Sequence, residues 1–258
     1  MEFSAKRLKT FLECPRKFQF TYLDQIPVPT PASLAFGKTL HETIELIHLD
    51  GLWDERRAFS LFRSLWEKRQ QEEPLLFTDR TPKHYEGLAE KILSGYLKRQ
   101  RHRPPPLLIE FEFSLPFGED QLHGVIDQIR EEGEGLVIVD LKSDKSKPSK
   151  AELDMDLQFT LYAFAAHQIF RRPILACCHY HLRTNEELWT GRDPERCAET
   201  LREVIAFVAQ NIKAGFFPPN RGLQCRWCPF AFLCERDPLW QKQAPLGGNA
   251  PFLNNSRR

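Results

Sequence analysis

Net charge is nearly absent from this sequence of 258 residues: 36 Lys and Arg face 35 Asp and Glu, leaving +1. That balance argues against a polybasic, tail-driven nucleic-acid binder. Long apolar runs are absent too. The most apolar stretch, Leu161 to Phe170, is interrupted by His167 and Gln168 and is too short to cross a bilayer. The opening residues Met1 to Arg7 carry no apolar core of the kind a secretory signal needs, so a cytoplasmic chain is expected. There is no internal repeat and no long low-complexity segment. The seven cysteines are odd in number and irregularly spaced, which excludes a regular disulfide framework. In a reducing compartment, clustered cysteines point to metal instead. What remains is 41% apolar residues with 12% aromatics, enough to build a core and to exclude wholesale disorder. The length fits one large domain or two small ones.

Hydrophobic spacing divides the chain by character. Ser4 is placed to cap a helix carrying Leu8, Phe11, Leu12, Phe18 and Leu23. Residues 25–35 hold Pro27, Pro29 and Pro31 and read as a loop, with a helix restarting near Gly37. Helices are predicted over 55–71 and 82–100, and Pro104 to Pro106 close this helical part at about residue 103. Residues 107–117, 121–131 and 135–141 are β-rich and broken by turn residues, as in a three-stranded meander. A helix over 154–170, a strand over 174–182 and a helix over 194–214 follow. Residues 218–238 read as coil and those from about 243 as a frayed tail. Strands enclosed between helices give an α/β fold, in one domain over 1–242 with its core at about 104–215.

The sharpest chemistry lies in Gly124-Val125-Ile126-Asp127 and Val139-Asp140-Leu141-Lys142, each expected to end an apolar strand with an acid. Asp140 and Lys142 are two residues apart and so share a strand face. Two carboxylates at neighbouring strand ends suit a hard cation such as Mg²⁺ or Mn²⁺. A lysine beside them can position water or stabilise charge developing on a phosphate. Taken alone, the pattern equally describes a surface Asp–Lys ladder. Gln158 and Tyr162 stand at i and i+4 on the next helix, and His41 and Glu45 share an earlier helix face. Glu110 lies in the first meander strand, with Glu112 an equally placed competitor.

Taken in order, Phe36-Gly37-Lys38-Thr39-Leu40-His41, Glu110, Gly124 to Asp127, Asp140-Leu141-Lys142 and Gln158 to Tyr162 resemble the RecB-like branch of the PD-(D/E)XK nuclease superfamily. The resemblance covers nearly the whole chain. It implies a restriction-endonuclease-like mixed sheet flanked by helices. It makes His41, Asp127 and Asp140 metal ligands, with the Leu141 carbonyl as a further one and Glu110 as an additional acid. Lys142 becomes the catalytic lysine, and Gln158 and Tyr162 support the site and the phosphate. Ile126 stands where the superfamily's name has Pro, and Asp140 where some branches have Glu.

Cys225, Cys228 and Cys234 form a compact ligand cluster, and a CxxC turn can place two thiolates on one centre. A fourth ligand is needed, and Cys14 is the candidate. The arrangement resembles the iron–sulfur clasp of AddB-type and CRISPR-associated RecB-like nucleases, which implies a [4Fe-4S] cluster. Spacing alone leaves structural Zn²⁺ open. Cys177 and Cys178 read as core residues of a strand and Cys197 as a helix residue. Cys177, His179 and His181 share a strand face that could make a second metal site, although no carboxylate spacing supports it.

Other function classes were weighed. Ala32 to Thr39 imitates a phosphate-binding loop, which would make the chain an NTPase, but three prolines precede it and Ala32 stands where Gly is needed. His41-Glu42-Thr43-Ile44-Glu45 begins like a zinc-protease helix, but Glu45 replaces the second histidine. A non-catalytic DNA-binding or scaffold module on the same fold is the remaining alternative. Basic clusters at Lys98, Arg99, Arg101 and Arg103, and at Lys142, Lys145, Lys147 and Lys150, could line a groove along a phosphate backbone. Phe18, Phe20, Tyr22, Trp227, Phe230 and Phe232 could stack on unpaired bases, although more of them are expected in the core. The resemblance implies that the partner is DNA, single-stranded or with free ends, attacked exonucleolytically. A helicase or a CRISPR adaptation protein is an expected protein partner, and no membrane is expected.

Overall fold

The computed structural model describes residues 1–78 and 80–236. The expected frayed tail and the last two residues of the expected cysteine clasp lie outside this span. In chain order the elements are β1 (Glu2–Phe3), α1 (Ala5–Glu13), α2 (Pro15–Phe18), a π-helical turn (Gln19–Leu23), β2 (Thr30–Pro31), α3 (Ala32–Leu49), α4 (Glu55–Glu72), β3 (Leu75–Leu76) and α5 (Pro82–Gln100). Then come β4 (Leu108–Phe117), β5 (Asp120–Glu132), β6 (Gly135–Lys142), α6 (Lys150–Asp154), α7 (Leu157–Phe170), β7 (Ile174–His181), β8 (Glu186–Thr190), α8 (Pro194–Lys213), a 3₁₀ turn (Leu223–Trp227) and α9 (Ala231–Arg236). A central mixed sheet flanked by helices results, as the α/β expectation required. Among the described residues no helix is long and apolar enough to cross a membrane.

The chain divides into two compact units. One unit comprises residues 29–113 and 125–194. Its sheet runs β5-β6-β7-β8, with β4 paired to β5. Gly133, at φ 56°, makes the tight turn that folds β6 back on β5 in antiparallel register, Glu132 opposite Gly135. β6 and β7 are parallel, and α6 and α7 lie between them in the chain. Alternation then sorts the side chains. Val137, Val139 and Leu141 of β6, with Cys178 and Tyr180 of β7, face the core built by α3, α4 and α5. Phe36, Phe62, Trp66 and Tyr85 form the aromatic centre of that core. Asp140, Lys142, His179 and His181 face the opposite way, on the side of α7.

The other unit comprises residues 1–28, 114–124 and 195–236 of the described chain. β1 pairs in parallel with the start of β5, Phe3 opposite Leu122. Ser4 caps α1 by accepting from the Arg7 amide, as expected from the sequence. Phe11 is fully buried among Phe18, Phe207 and Phe217.

Several boundaries differ from expectation for local reasons. α3 starts at Ala32, not near Gly37, because Pro31 is pre-set at an extended N-cap and the residues after it are free to turn. The stretch that imitates a phosphate-binding loop is therefore helix. The helix expected over 154–170 starts at Leu157, because Asp156 caps α7 by accepting from the Gln158 and Phe159 amides, and a separate short helix, α6, ends at Asp154. Asp127 lies within β5 and does not end it. The 218–238 stretch holds a 3₁₀ turn and α9 as well as coil.

Candidate metal centre and lysine site

The site forms where β5 parts from β6. Their ladder ends at Gln128 opposite Val139. One step on, the Leu141 peptide faces the side β5 has vacated. Its N–H donates to Asp127 Oδ2 at 2.6 Å, and its carbonyl meets His41 Nε2, from α3, at 2.9 Å. A side chain from each of two elements thus replaces the missing backbone partner.

The other ring nitrogen of His41, Nδ1, lies 3.5 Å from both Glu110 Oε1 and Asp127 Oδ1. His41, Glu110 and Asp127 each offer a ligand atom, all within 4.8 Å of one another. Glu110 gets there by a backbone distortion. It sits in β4 with φ 45°, left-handed for a non-glycine residue, and is half-buried, while Glu112 is exposed. Of the two acids the sequence could not separate, the structure selects Glu110.

Asp140 is 3% exposed. Its Oδ1 accepts from Lys142 Nζ and from Gln158 Nε2, each at 2.8 Å. Gln158 also donates to the Tyr162 hydroxyl at 3.1 Å, so the i, i+4 pair acts as one arm from α7. All the expected site residues of this unit therefore converge, in two linked groups: His41, Glu110, Asp127 and Leu141, and Asp140, Lys142, Gln158 and Tyr162.

Electrostatics follow from burial and crowding of charge. Burial disfavours a charged His41, but Asp127 and Glu110 outweigh it and lift its pKa to about 10. His41 is thus an imidazolium at neutral pH, holding positive charge between two carboxylates. Burial works against the charge of Asp127, yet His41, Lys142 and the Leu141 amide keep its pKa low. Burial, with some help from Asp127, pushes Asp140 up to about 6 despite Lys142. Burial opposes the charge of Lys142, but Asp140 and Asp127 raise its pKa further, so it stays an ammonium. Glu45, one turn beyond His41, is raised by burial and by repulsion from Glu110 and Glu42.

Some expected roles do not materialise. The second cluster fails as a metal site: Cys177 is fully buried, and His181 is committed to Thr184 Oγ1 and the Asp144 carbonyl. The basic residues that could line a groove are largely ion-paired within the chain. Arg99, Arg103 and Arg130 all bind Glu187, Lys147 binds Glu186, and Lys150 binds Asp154. Glu187 is 6% exposed, and its pKa falls to about 2 because bonds from Arg103 and Arg130 overcome its burial. Sequence reasoning missed this cluster, because β8 mixes Glu186 and Glu187 with Leu188 and Trp189 and lacks a clean alternation.

In the other unit, Cys14, Cys225, Cys228 and Cys234 line one cavity with Phe20, Asn220 and Phe230. None of the four is in a disulfide. The Asn220 amide donates to Cys14 Sγ at 3.4 Å, and its side chain donates to the Glu13 carbonyl. Burial raises the pKa of Cys228, and that of Cys234 to about 11, with the neighbouring thiols adding to the shift. The N-terminal cysteine and the C-terminal trio are therefore brought together.

Three comparisons bear on identity. No curated protein matches the chain. The solved crystal structure of SSO0001 is similar at a TM-score of 0.41 and 12% identity, over 90% of this chain and 85% of that one. The model of the PD-(D/E)XK nuclease superfamily matches residues 2–235. That span contains every residue of the site between β5 and β6, and the chain belongs to the PD-(D/E)XK nuclease superfamily.

Proposed function

We propose that the chain is a metal-dependent deoxyribonuclease that trims single-stranded DNA or DNA ends exonucleolytically. The observation that carries the metal-dependent nuclease reading is the pairing of a three-ligand cluster, His41, Glu110 and Asp127, with the buried Asp140–Lys142 ion pair linked to Gln158, while the action on single strands or ends rests on the RecB-like resemblance. Carboxylates and a carbonyl suit Mg²⁺ or Mn²⁺, and an imidazole in the set favours Mn²⁺ over Mg²⁺. Once bound, such an ion supplies Lewis-acid polarisation of phosphate and a more acidic water.

The chain's own residues do the rest. His41, Glu110 and Asp127, joined by Asp140 once it turns from Lys142, would hold the ion and so set where the phosphate binds. Lys142, held as an ammonium, stabilises negative charge on the phosphate and does not take up a proton. Gln158 holds Asp140 while Tyr162 holds Gln158. The core behind Leu141 keeps these groups in place.

The four cysteines lining one cavity could hold a metal centre, and the RecB-like resemblance favours a [4Fe-4S] cluster over zinc there. Such a clip between distant parts of the chain would act by restricting the unfolded state. The RecB-like resemblance supplies the remaining inference, that a helicase or a CRISPR adaptation complex is the partner.

The test is cleavage of 5′- and 3′-labelled single- and double-stranded DNA with Mg²⁺, Mn²⁺ or EDTA. Expected is cation-dependent shortening from ends that Lys142→Ala abolishes without loss of DNA binding. Cleavage that survives EDTA or Lys142→Ala would refute the proposal. Binding by the wild type with no cleavage would instead identify a scaffold module.

A further inference from the structure

His179 is buried on the sheet face that carries the site, yet its Nε2 has no hydrogen-bond partner among the described residues. Only 7% of the residue is exposed. A stranded polar nitrogen of this kind is costly to bury, and a leucine would fill the space without that cost. His181, two residues on and on the same face, shows what a structural histidine looks like here: both its nitrogens are engaged. The fold does not use the free nitrogen of His179.

Its neighbour suggests the use. Asp140 and His179 are register partners on the parallel strands β6 and β7, so their side chains leave the sheet side by side. Both bonds to Asp140, from Lys142 and from Gln158, fall on the same oxygen, Oδ1. If Asp140 turns toward a cation, as the proposed function requires, those bonds must be rearranged. The carboxylate then needs a donor from another direction.

We infer that His179 is a positioning residue for Asp140, its Nε2–H holding that carboxylate once it has turned from Lys142 to the metal. The inference rests on the nuclease reading of the site. Residues that orient a metal-ligating carboxylate commonly change metal affinity by 10- to 100-fold when removed, without touching the ion.

The experiment measures Mn²⁺ binding by calorimetry in the absence of DNA, together with the melting temperature in EDTA, for the full chain. The variants are His179→Leu, which fills the space, and His179→Gln, whose side-chain amide stands near Nε2. Expected is a loss of about tenfold or more in Mn²⁺ affinity for His179→Leu. Its EDTA melting temperature should be unchanged or raised, and His179→Gln should recover most of the affinity. Equal Mn²⁺ affinity in wild type and His179→Leu overturns this inference alone. So does a fall of several degrees in the EDTA melting temperature of His179→Leu with no rescue by His179→Gln, which would mark a structural histidine. A wild type with no Mn²⁺ affinity overturns the metal reading, and this inference with it.

Discussion

Cation binding at His41 should expel a proton. At pH 7.5 the ring is an imidazolium, because Asp127 and Glu110 lift its pKa to about 10. Its Nε2–H is taken by the Leu141 carbonyl, so the proton facing the carboxylates is the one on Nδ1. A cation drawn to Glu110 and Asp127 must displace that proton. Two and a half pH units below the pKa, removing it costs about 3.4 kcal/mol, at about 1.36 kcal/mol per unit. Apparent affinity for Mn²⁺ should therefore rise about tenfold per pH unit between about 7 and 9. Calorimetry in two buffers of different ionisation enthalpy at pH 7.5 should report about one proton released per ion. Asp140, with a pKa of about 6, is already ionised there and adds a second proton only at lower pH. The sign of the stability effect is fixed by the same shift. The folded pKa of His41 lies above the ordinary 6.5, so its contribution in EDTA is complete below about 6.5 and is lost as the pH rises through about 10. Zero proton release at pH 7.5, or an affinity independent of pH, would refute the reasoning.

Three further outcomes are expected. Asp127→Asn should bring the pKa of His41 down and reduce the loss of stability between about pH 6.5 and 10, with Glu110 retaining part of it, read from melting curves in EDTA. Glu187→Gln should cost about 3 kcal/mol by denaturant unfolding, because it leaves Arg130, only 12% exposed, without its carboxylate. Cys228→Ser should remove the visible absorption expected of an iron–sulfur protein and lower solubility, and a variant that keeps full colour would exclude Cys228 as a ligand.

The sequence was readable where local rules suffice. The Gly135–Lys142 strand, the Pro82–Gln100 helix and the spacing of Asp140 with Lys142 all follow from periodicity and turn residues. What it could not contain is register. Period two puts Glu110 and Glu112 on one face, and only the left-handed backbone at Glu110 separates them. His179 was visible as a strand-face histidine but not as the neighbour of Asp140, because that depends on how two strands far apart in sequence align. The basic clusters looked free because their partners, above all Glu187, arrive on a strand whose sequence barely announces itself.

The Leu141 peptide is held by the site at both ends, its N–H by Asp127 and its carbonyl by His41. That makes two successive main-chain amides built-in reporters. The chemical shift of the Leu141 amide should follow the charge on Asp127, and that of the Lys142 amide, whose peptide contains the Leu141 carbonyl, should follow whether His41 still holds that carbonyl. Two neighbouring resonances would thus read the occupancy of the centre without a substrate.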